Sequence, residues 1–456
     1  MQKGTILKTE IIEIAQGGDG VAKPDNFTLF IPETVPGDTV LAEVTEAKKT
    51  YGRAKVLEVL QAGPERVMPA CSYFASCGGC SLQQLSYMEQ LKAKRKIVQD
   101  SLTRIGGFKD IDHLVKPVLG MTNPWYYRNK IAVPVQPDSK RQLRTGFYEK
   151  GTHNIVEMDK CLLQADPGNE IWQTVVFLAR EYGLQPYDEK THQGVLRHIL
   201  IRVARRTNEA LVVLVLNTQG FPQEKELAKE IMKRHPQVVG VVKNTNTKKT
   251  NAILGSHTET ILGKDHMIDY VGPLAFKVSA RSFFQVNPQQ AEVLYQVAKE
   301  YAGLTGKEHV LDLYSGIGTI ALYLAPAAKK VTGIEVVPEA IEDAKKNAEF
   351  NNLNSAIFVH GDVAELLTQK KYQADVIVVD PPRKGLDLTV IEGMVKMGPQ
   401  RIIYVSCNPA TMARDLKEIT NHGYTIRAVQ PVDMFPQTPH VETVVLMSRV
   451  KVNTMF

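Results

Sequence analysis

Long apolar runs are missing from this chain. No stretch approaches the ~18–20 consecutive apolar residues a membrane-spanning helix needs, and 23% of the 456 residues are charged. The opening segment, MQKGTILKTEIIEIAQGG, is broken by Lys8, Glu10 and Glu13, so no secretory leader is expected. Tandem repeats and low-complexity tracts are missing too. Cysteine is scarce: there are five, an odd number and poor material for a disulfide framework. These absences argue against a membrane, secreted or disordered protein. They leave an expected cytoplasmic protein without a membrane partner, of about three domains at roughly 150 residues each.

Positive charge is present but localised. The chain carries 55 Lys and Arg against 49 Asp and Glu, a net of +6. Residues 61–160 hold 15 basic and 9 acidic side chains, which equals the excess of the whole chain. Residues 1–60 hold 7 basic and 9 acidic side chains. Such concentration suits a nucleic-acid partner, or is simply a solvated basic face.

Cysteine placement is not random. Cys71, Cys77 and Cys80 form C-x5-C-x2-C, and Cys161 precedes an Asp166-Pro167-Gly168 turn. Gly78 and Gly79 let the backbone wrap tightly enough for neighbouring thiolates to converge. Four thiolates suit either tetrahedral zinc or an iron–sulfur cluster, and spacing does not choose between them. The remaining Cys407 ends the apolar run IIYVSCNP at 402–409. That pattern reads as a buried strand delivering a cysteine to its carboxyl end, the edge where open α/β sheets do chemistry. An inert, packed thiol is the plain alternative.

The chain divides by pattern. Residues 1–60 alternate short β-rich runs with glycine turns, as in a small barrel of the oligonucleotide-binding type. Residues 61–284 predict a helix near 85–103, then mostly strands, with further helices near 168–183 and 222–235. Lys92, Lys94, Arg95 and Lys96 on the first helix suggest a phosphate-facing patch or a wet face. From 285 to 456 the pattern becomes β–α alternation, with strands at 309–314, 331–335, 356–359, 375–380, 402–406, 424–429 and 443–448. This is the signature of a doubly wound, Rossmann-like α/β sheet.

The first strand of that sheet runs into Gly316-Ile317-Gly318 and then a helix. Glycines let the backbone approach a ligand, and the helix start offers free N–H groups. Glu335 ends the second strand, 19 positions after Gly316, where a carboxylate can accept from ribose hydroxyls. G-x-G-x-x-A alone also fits a dinucleotide site. Gly361-Asp362 after the third strand and DPPRKG at 380–385 shift the balance towards S-adenosylmethionine. Asp362 suits an adenine contact, and Asp380 heads a rigid acidic turn beside the expected methyl donor. Taken singly, each acid reads as a loop cap.

A cysteine at this edge has a specific use. A thiolate adding to C6 of uracil turns the ring into an enolate whose C5 can attack a methyl sulfonium. The adduct must then lose its C5 proton, which requires a general base. The segment VDMFPQTPHVETVV at 432–445 supplies His440 and Glu442, the latter 35 positions from Cys407.

With these residues in view, the sequence resembles the RNA uracil-C5 methyltransferases, in particular the 23S ribosomal RNA enzymes. The segment from Asp380 to Thr411 resembles the family's first signature, and the segment from Val432 to Glu442 resembles its second. The resemblance implies Cys407 as nucleophile and Glu442 as base, with cofactor contacts from Gln285, Tyr314, Gly316, Thr319, Glu335, Asp362 and Asp380. Asn is frequent in the family where Thr319 and Asp362 stand. It also implies an RNA-binding TRAM barrel, and a [4Fe-4S] cluster on Cys71, Cys77, Cys80 and Cys161, with zinc as the alternative occupant. WYYRNK at 125–130 resembles another shared segment, suited to RNA stacking or to an ordinary strand edge. The expected reaction is 5-methyluridine formation in 23S ribosomal RNA by a monomer, with the target flipped from its stack. Transfer RNA is the rival substrate. An amino-methyltransferase, an NAD enzyme and a non-catalytic RNA-binding assembly factor are the rival functions.

Overall fold

The structure, a computed structural model, describes residues 1–369 and 372–450. Near the N-terminus, six short strands form one barrel-like sheet, in the order Ile6–Glu10, Thr39–Ala47, Tyr51–Gln61, Thr28–Ile31, Gly20–Ala22 and Glu13–Ile14. Alternation decides what it buries: Val40, Ala42 and Val44 point inwards with Leu29, Ile31 and Ala54.

A second sheet of seven strands follows, ordered His257–Gly263, Val238–Thr245, Ala210–Leu216, Leu196–Val203, Lys130–Pro137, Leu143–Tyr148 and Ile155–Glu157. The helices Asp166–Glu181 and Glu224–Arg234 share a core with this sheet through Trp172, Val175, Leu227 and Ile231. The fully buried strand Ala210–Leu216 is a continuous apolar run, as a strand covered on both faces must be.

The third sheet also has seven strands. Its order is Ala356–His360, Lys330–Glu335, His309–Leu313, Val376–Val379, Arg401–Ser406, Glu442–Arg449 and Tyr424–Val432. The first five are parallel, and Glu442–Arg449 inserts antiparallel beside Arg401–Ser406. Helices Pro338–Phe350, Leu388–Met397 and Pro409–Asn421 each join one strand to the next in the chain, the connection that strands running the same way require.

Two segments pack differently from their place in the sequence. The hairpin of His266–Val271 and Leu274–Ser279 shares its core with the third sheet through Met267, Phe276, Leu294 and Ala344. That unit's packing therefore begins well before residue 285. The helix Tyr87–Arg104 also joins this sheet, burying Val98 and Leu102 with Leu416 and Val429.

Of the two readings of that helix's charges, the wet face holds for the exposed Lys92 and Lys96, and the phosphate-facing patch is corrected at Lys94 and Arg95. Lys94 is fully buried against Asp433, Arg95 donates to the Val115 carbonyl, Lys92 pairs with Glu89, and Lys96 pairs with Asp100 and Glu13. The helix spends these charges on packing and local pairs, because its inner face lies against the third sheet. Among the described residues, no helix is long and apolar enough to cross a membrane.

Candidate active site

Strand register assembles the site. Ser406 pairs with Thr443 at the end of the antiparallel ladder, so Cys407 and Glu442 leave the sheet at the same edge. The neighbouring strand Val376–Val379 runs into Asp380, whose N–H donates to the Leu313 carbonyl at 3.4 Å. Asp380, Cys407 and Glu442 thus sit on adjoining strand ends, although 62 positions separate the first from the last. Asn408 caps the helix Pro409–Asn421 by accepting from the Ala410 N–H at 3.1 Å. This cap forces the chain to turn immediately after Cys407.

The charges are crowded and dry. Burial first, then the Asp380 charge, pushes the Glu442 carboxyl up to about 8, while Arg383 opposes the shift. Burial takes Asp380 up to about 6. Asp312, deep beneath the edge, is raised well above the usual carboxylate range by burial and then by Asp380. The Cys407 thiol rises to about 11 through burial, then through Glu442 and Asp380. A cation brought to this edge would relieve all of these repulsions together.

The glycine loop offers a cradle. Gly316 has φ +54 with nothing within 4 Å of where a Cβ would stand, and its N–H donates to Glu335 Oε2 at 3.1 Å. Gly318 is required for a different reason: a Cβ there would strike the Phe358 ring at 2.6 Å. Tyr314 also takes a left-handed backbone, φ 64, at the strand end. Ser315 Oγ and Asp312 Oδ1 are buried beneath the loop without a partner. Open backbone, a fixed carboxylate and orphaned polar atoms suit a nucleoside with a positively charged tail.

The other expected cofactor residues each have a partner of their own. The Thr319 hydroxyl meets the Tyr295 hydroxyl at 3.1 Å. Gln285 is half-buried and its carbonyl accepts from Asn129 Nδ2 at 3.1 Å. Asp362 is exposed and accepts from the Glu365 N–H at 3.1 Å, the loop-cap role its position allowed. His440 is exposed, with its ring edge-on to Phe435, whereas Glu442 is 95% covered and opens the last strand.

The first domain reaches this edge. Gln16 Nε2 lies 3.4 Å from Asn408 Oδ1, and Gly18 approaches Pro439 and Ser81 so closely that a Cβ would touch both. Sequence reasoning missed this docking, since nothing in a glycine turn names its neighbour.

The four remaining cysteines line one cavity of about 480 Å³, together with Arg128, Lys130 and Gln83. All are reduced and half-buried. Among the described residues, no three His, Cys, Asp or Glu side chains converge closely enough to hold a metal ion. Burial and the neighbouring thiolates push Cys80 up to about 12. The donor set still fits a thiophilic metal group, with Arg128 and Lys130 at hand to balance the negative charge of four thiolates. In the 125–130 segment, Tyr127 is fully buried and donates to the Pro436 carbonyl at 3.1 Å, so it serves packing, not stacking on RNA.

Comparison with known proteins agrees with this geometry. The family model described as tRNA (Uracil-5-)-methyltransferase matches residues 271–450, and the TRAM domain model matches residues 2–57. A Halalkalibacterium halodurans protein carrying the name uncharacterized RNA methyltransferase is 45% identical over 450 residues, covering 98% of each chain. One of the same description from Bacillus cereus is 44% identical over 455 residues, covering 99% of this chain and 98% of that one. Among solved structures, the tRNA (uracil-54, C5)-methyltransferase of Pyrococcus abyssi in complex with S-adenosyl-L-homocysteine superposes with a TM-score of 0.78. It is 28% identical and covers 97% of this chain and 100% of its own.

Proposed function

The chain belongs to the RNA uracil-5-methyltransferase family, and we propose that it methylates C5 of a uridine in 23S ribosomal RNA, acting as a monomer. The observation that carries the chemistry is the common exit of Cys407 and Glu442 from one sheet edge, beside Asp380. S-adenosylmethionine, when bound, supplies an electrophilic methyl group. Gln285, Tyr314, Gly316, Thr319, Glu335, Asp362 and Asp380 would hold it, with Glu335 suited to the ribose hydroxyls, Asp362 to the adenine and Asp380 to the methyl-donor end.

The chain's own residues then have separate tasks. Cys407 adds as a thiolate to C6 of a flipped uracil, forming the C–S bond and placing negative charge over O4 and C5. C5 takes the methyl group as the methyl–sulfur bond breaks and leaves a neutral thioether, and Glu442 then removes the C5 proton. The electron pair returns to form C5=C6 and expels the thiolate. A carboxyl raised towards 8 is a stronger base than an ordinary glutamate, which suits that abstraction near neutral pH. The Cys407 thiol, raised while the edge carries only acids, is expected to ionise more readily once a cationic donor lies beside it.

Cys71, Cys77, Cys80 and Cys161 are proposed to hold a [4Fe-4S] cluster, zinc being the alternative, away from the methyl transfer. The barrel and the basic 61–160 stretch would hold the RNA. Transfer RNA is the second reading, favoured by the full-length likeness to the Pyrococcus abyssi enzyme. The test offers unmodified 23S ribosomal RNA and unmodified transfer RNA separately, with labelled S-adenosylmethionine and nucleoside mass spectrometry. 5-Methyluridine in the ribosomal RNA alone is expected. Product only in transfer RNA would overturn the substrate and keep the chemistry.

A further inference from the structure

The strap 433–441 that delivers Glu442 has no regular structure of its own, yet five consecutive carbonyls on it are each bonded from outside. The Asp433 carbonyl accepts from Gln290 Nε2 at 3.1 Å, and the Met434 carbonyl from Asn287 Nδ2 at 3.1 Å. The Phe435 carbonyl accepts from Lys94 Nζ at 3.1 Å, and the Pro436 carbonyl from the Tyr127 hydroxyl at 3.1 Å. The Gln437 carbonyl accepts from the Ser81 and Leu82 N–H groups, both at 3.1 Å.

The helix Tyr87–Arg104 supplies the charged part of this grip. Lys94 Nζ meets Asp433 Oδ1 at 2.5 Å with both side chains at 0% exposure, and the Tyr87 hydroxyl donates to Asp433 Oδ2 at 2.8 Å. Gln90 exchanges two hydrogen bonds with Gln437, accepting from its N–H at 3.1 Å and donating to its Oε1 at 3.0 Å. Gln437 needs that hold, because its φ of 68 is a conformation a side-chain-bearing residue rarely adopts. A fully buried ion pair is a poor source of stability, since desolvation of both charges offsets their attraction.

We infer that the Tyr87–Gln90–Lys94 face is a positioning element for the general base: the ladder seats Glu442 opposite Val432 and Thr443 opposite Ser406, and the gripped strap fixes the chain that enters it, so that Glu442 reaches the C5 proton. Lys94 and its neighbours are positioning residues, since none of them touches the reacting atoms. The inference rests on the reading of Glu442 as base and adds that a helix from far earlier in the chain, packed on the third sheet, helps to place it. Cys407 hangs from a different strand, Arg401–Ser406, and is not among the residues that grip the five strap carbonyls, so the two halves of the reaction should separate. Loosening the strap should leave addition and methyl transfer intact and slow only proton removal.

The test uses the full chain with Lys94→Met, with Gln90→Leu, and with Lys94→Met combined with Asp433→Asn, so that no charge is buried alone. Unmodified 23S ribosomal RNA and transfer RNA transcripts serve as substrates, and Glu442→Gln is the control. The expected result is a fall of about 10²-fold in kcat, with KM changed less than about threefold. Covalent RNA adduct should accumulate on a denaturing gel, as in the control. A second probe is RNA carrying 5-fluorouridine, whose C5 fluorine cannot leave as a proton does and so traps the adduct without needing a base. Trapping at the wild-type rate is expected for every positioning variant.

Wild-type kcat in the folded double variant, or in Gln90→Leu, would overturn the inference. So would a loss of fluorouridine trapping that matches the loss of kcat, which marks general disruption of the site. If Glu442→Gln itself accumulates no adduct while Cys407 still traps fluorouridine RNA, the reading of Glu442 fails and the inference falls with it.

Discussion

The Cys407–Glu442 edge and the cysteine cavity both gather side chains from distant parts of the chain, but by different means. At the edge, strand register does the gathering: Ser406 opposite Thr443 fixes where Cys407 and Glu442 emerge. Around the cavity, turns do it. Cys71, Cys77 and Cys80 lie between regular elements, and Cys161 stands in the turn before the helix Asp166–Glu181. The bridges there, Cys77 opposite Glu149 and Arg128 opposite Gln164, are isolated. A site built on register keeps its geometry with or without a ligand. A site built on turns gains order from what it binds, because ligation energy also serves as folding energy.

The comparison breaks most visibly at the two kinds of cysteine. Cys407→Ala should lower turnover by about 10⁴-fold or more, as loss of a nucleophile does. It should leave the melting temperature within about 2 °C, since one sulfur at a half-buried strand end carries little packing. Steady-state methylation and a thermal melt of the same preparation check both halves. Measurable turnover by this variant would remove the covalent route.

Cys161→Ser should do the reverse. Iron content should fall, and the melting temperature should drop by on the order of 5 °C. Turnover at saturating RNA should fall less than about tenfold. Metal analysis, calorimetry and the methylation assay read the three quantities. Loss of activity without loss of stability would mean that the cavity takes part in the reaction itself, and the division between the two regions would fail.

The same division decides what was legible in the sequence. β–α alternation was enough for the sheet, and the two long signature segments singled out Cys407 and Glu442, because both are local patterns. The pairing of Cys407 with Glu442 was readable only as two motifs. The physical link is an antiparallel insertion, which no local period reports. Lys94 shows the limit most clearly. Beside Lys92, Arg95 and Lys96 it reads as a wet, phosphate-facing charge, and it is instead buried on Asp433, 339 positions away. Helix periodicity tells that Lys94 shares a face with Val98 and Leu102, but not that a carboxylate waits there.

A pH series sharpens the comparison within the edge. Glu442 is raised from its ordinary value of 4.5 to about 8, so between those values the native state holds a proton that the unfolded chain releases. This group's contribution to stability is therefore complete below about 4.5 and is lost as pH rises through about 8. The base, by contrast, works only as a carboxylate. Turnover should rise with pH through about 8 while this part of the stability declines, and Glu442→Gln should flatten the stability slope. Parallel denaturation and kcat series between pH 6 and 9 would detect the crossing. A rate that falls over that interval would mean that the essential group acts as an acid.

The smallest effect is expected at Asp362, where two readings of one carboxylate can be separated. Its oxygen accepts from the Glu365 N–H and so caps the helix Val363–Gln369. Asn caps nearly as well as Asp, so Asp362→Asn should change stability by less than about 0.5 kcal/mol, whereas Asp362→Ala should cost about 1 kcal/mol. If capping is the whole role, KM for S-adenosylmethionine stays within about twofold in both variants. If the side chain also receives the adenine amino group, the amide oxygen of Asn can still accept that bond and Ala cannot. KM should then rise several-fold in Asp362→Ala alone. Equal KM values in all three proteins would assign Asp362 to the helix and leave adenine recognition to the loop after Glu335, where Val336 and Val337 are exposed beside the cradle.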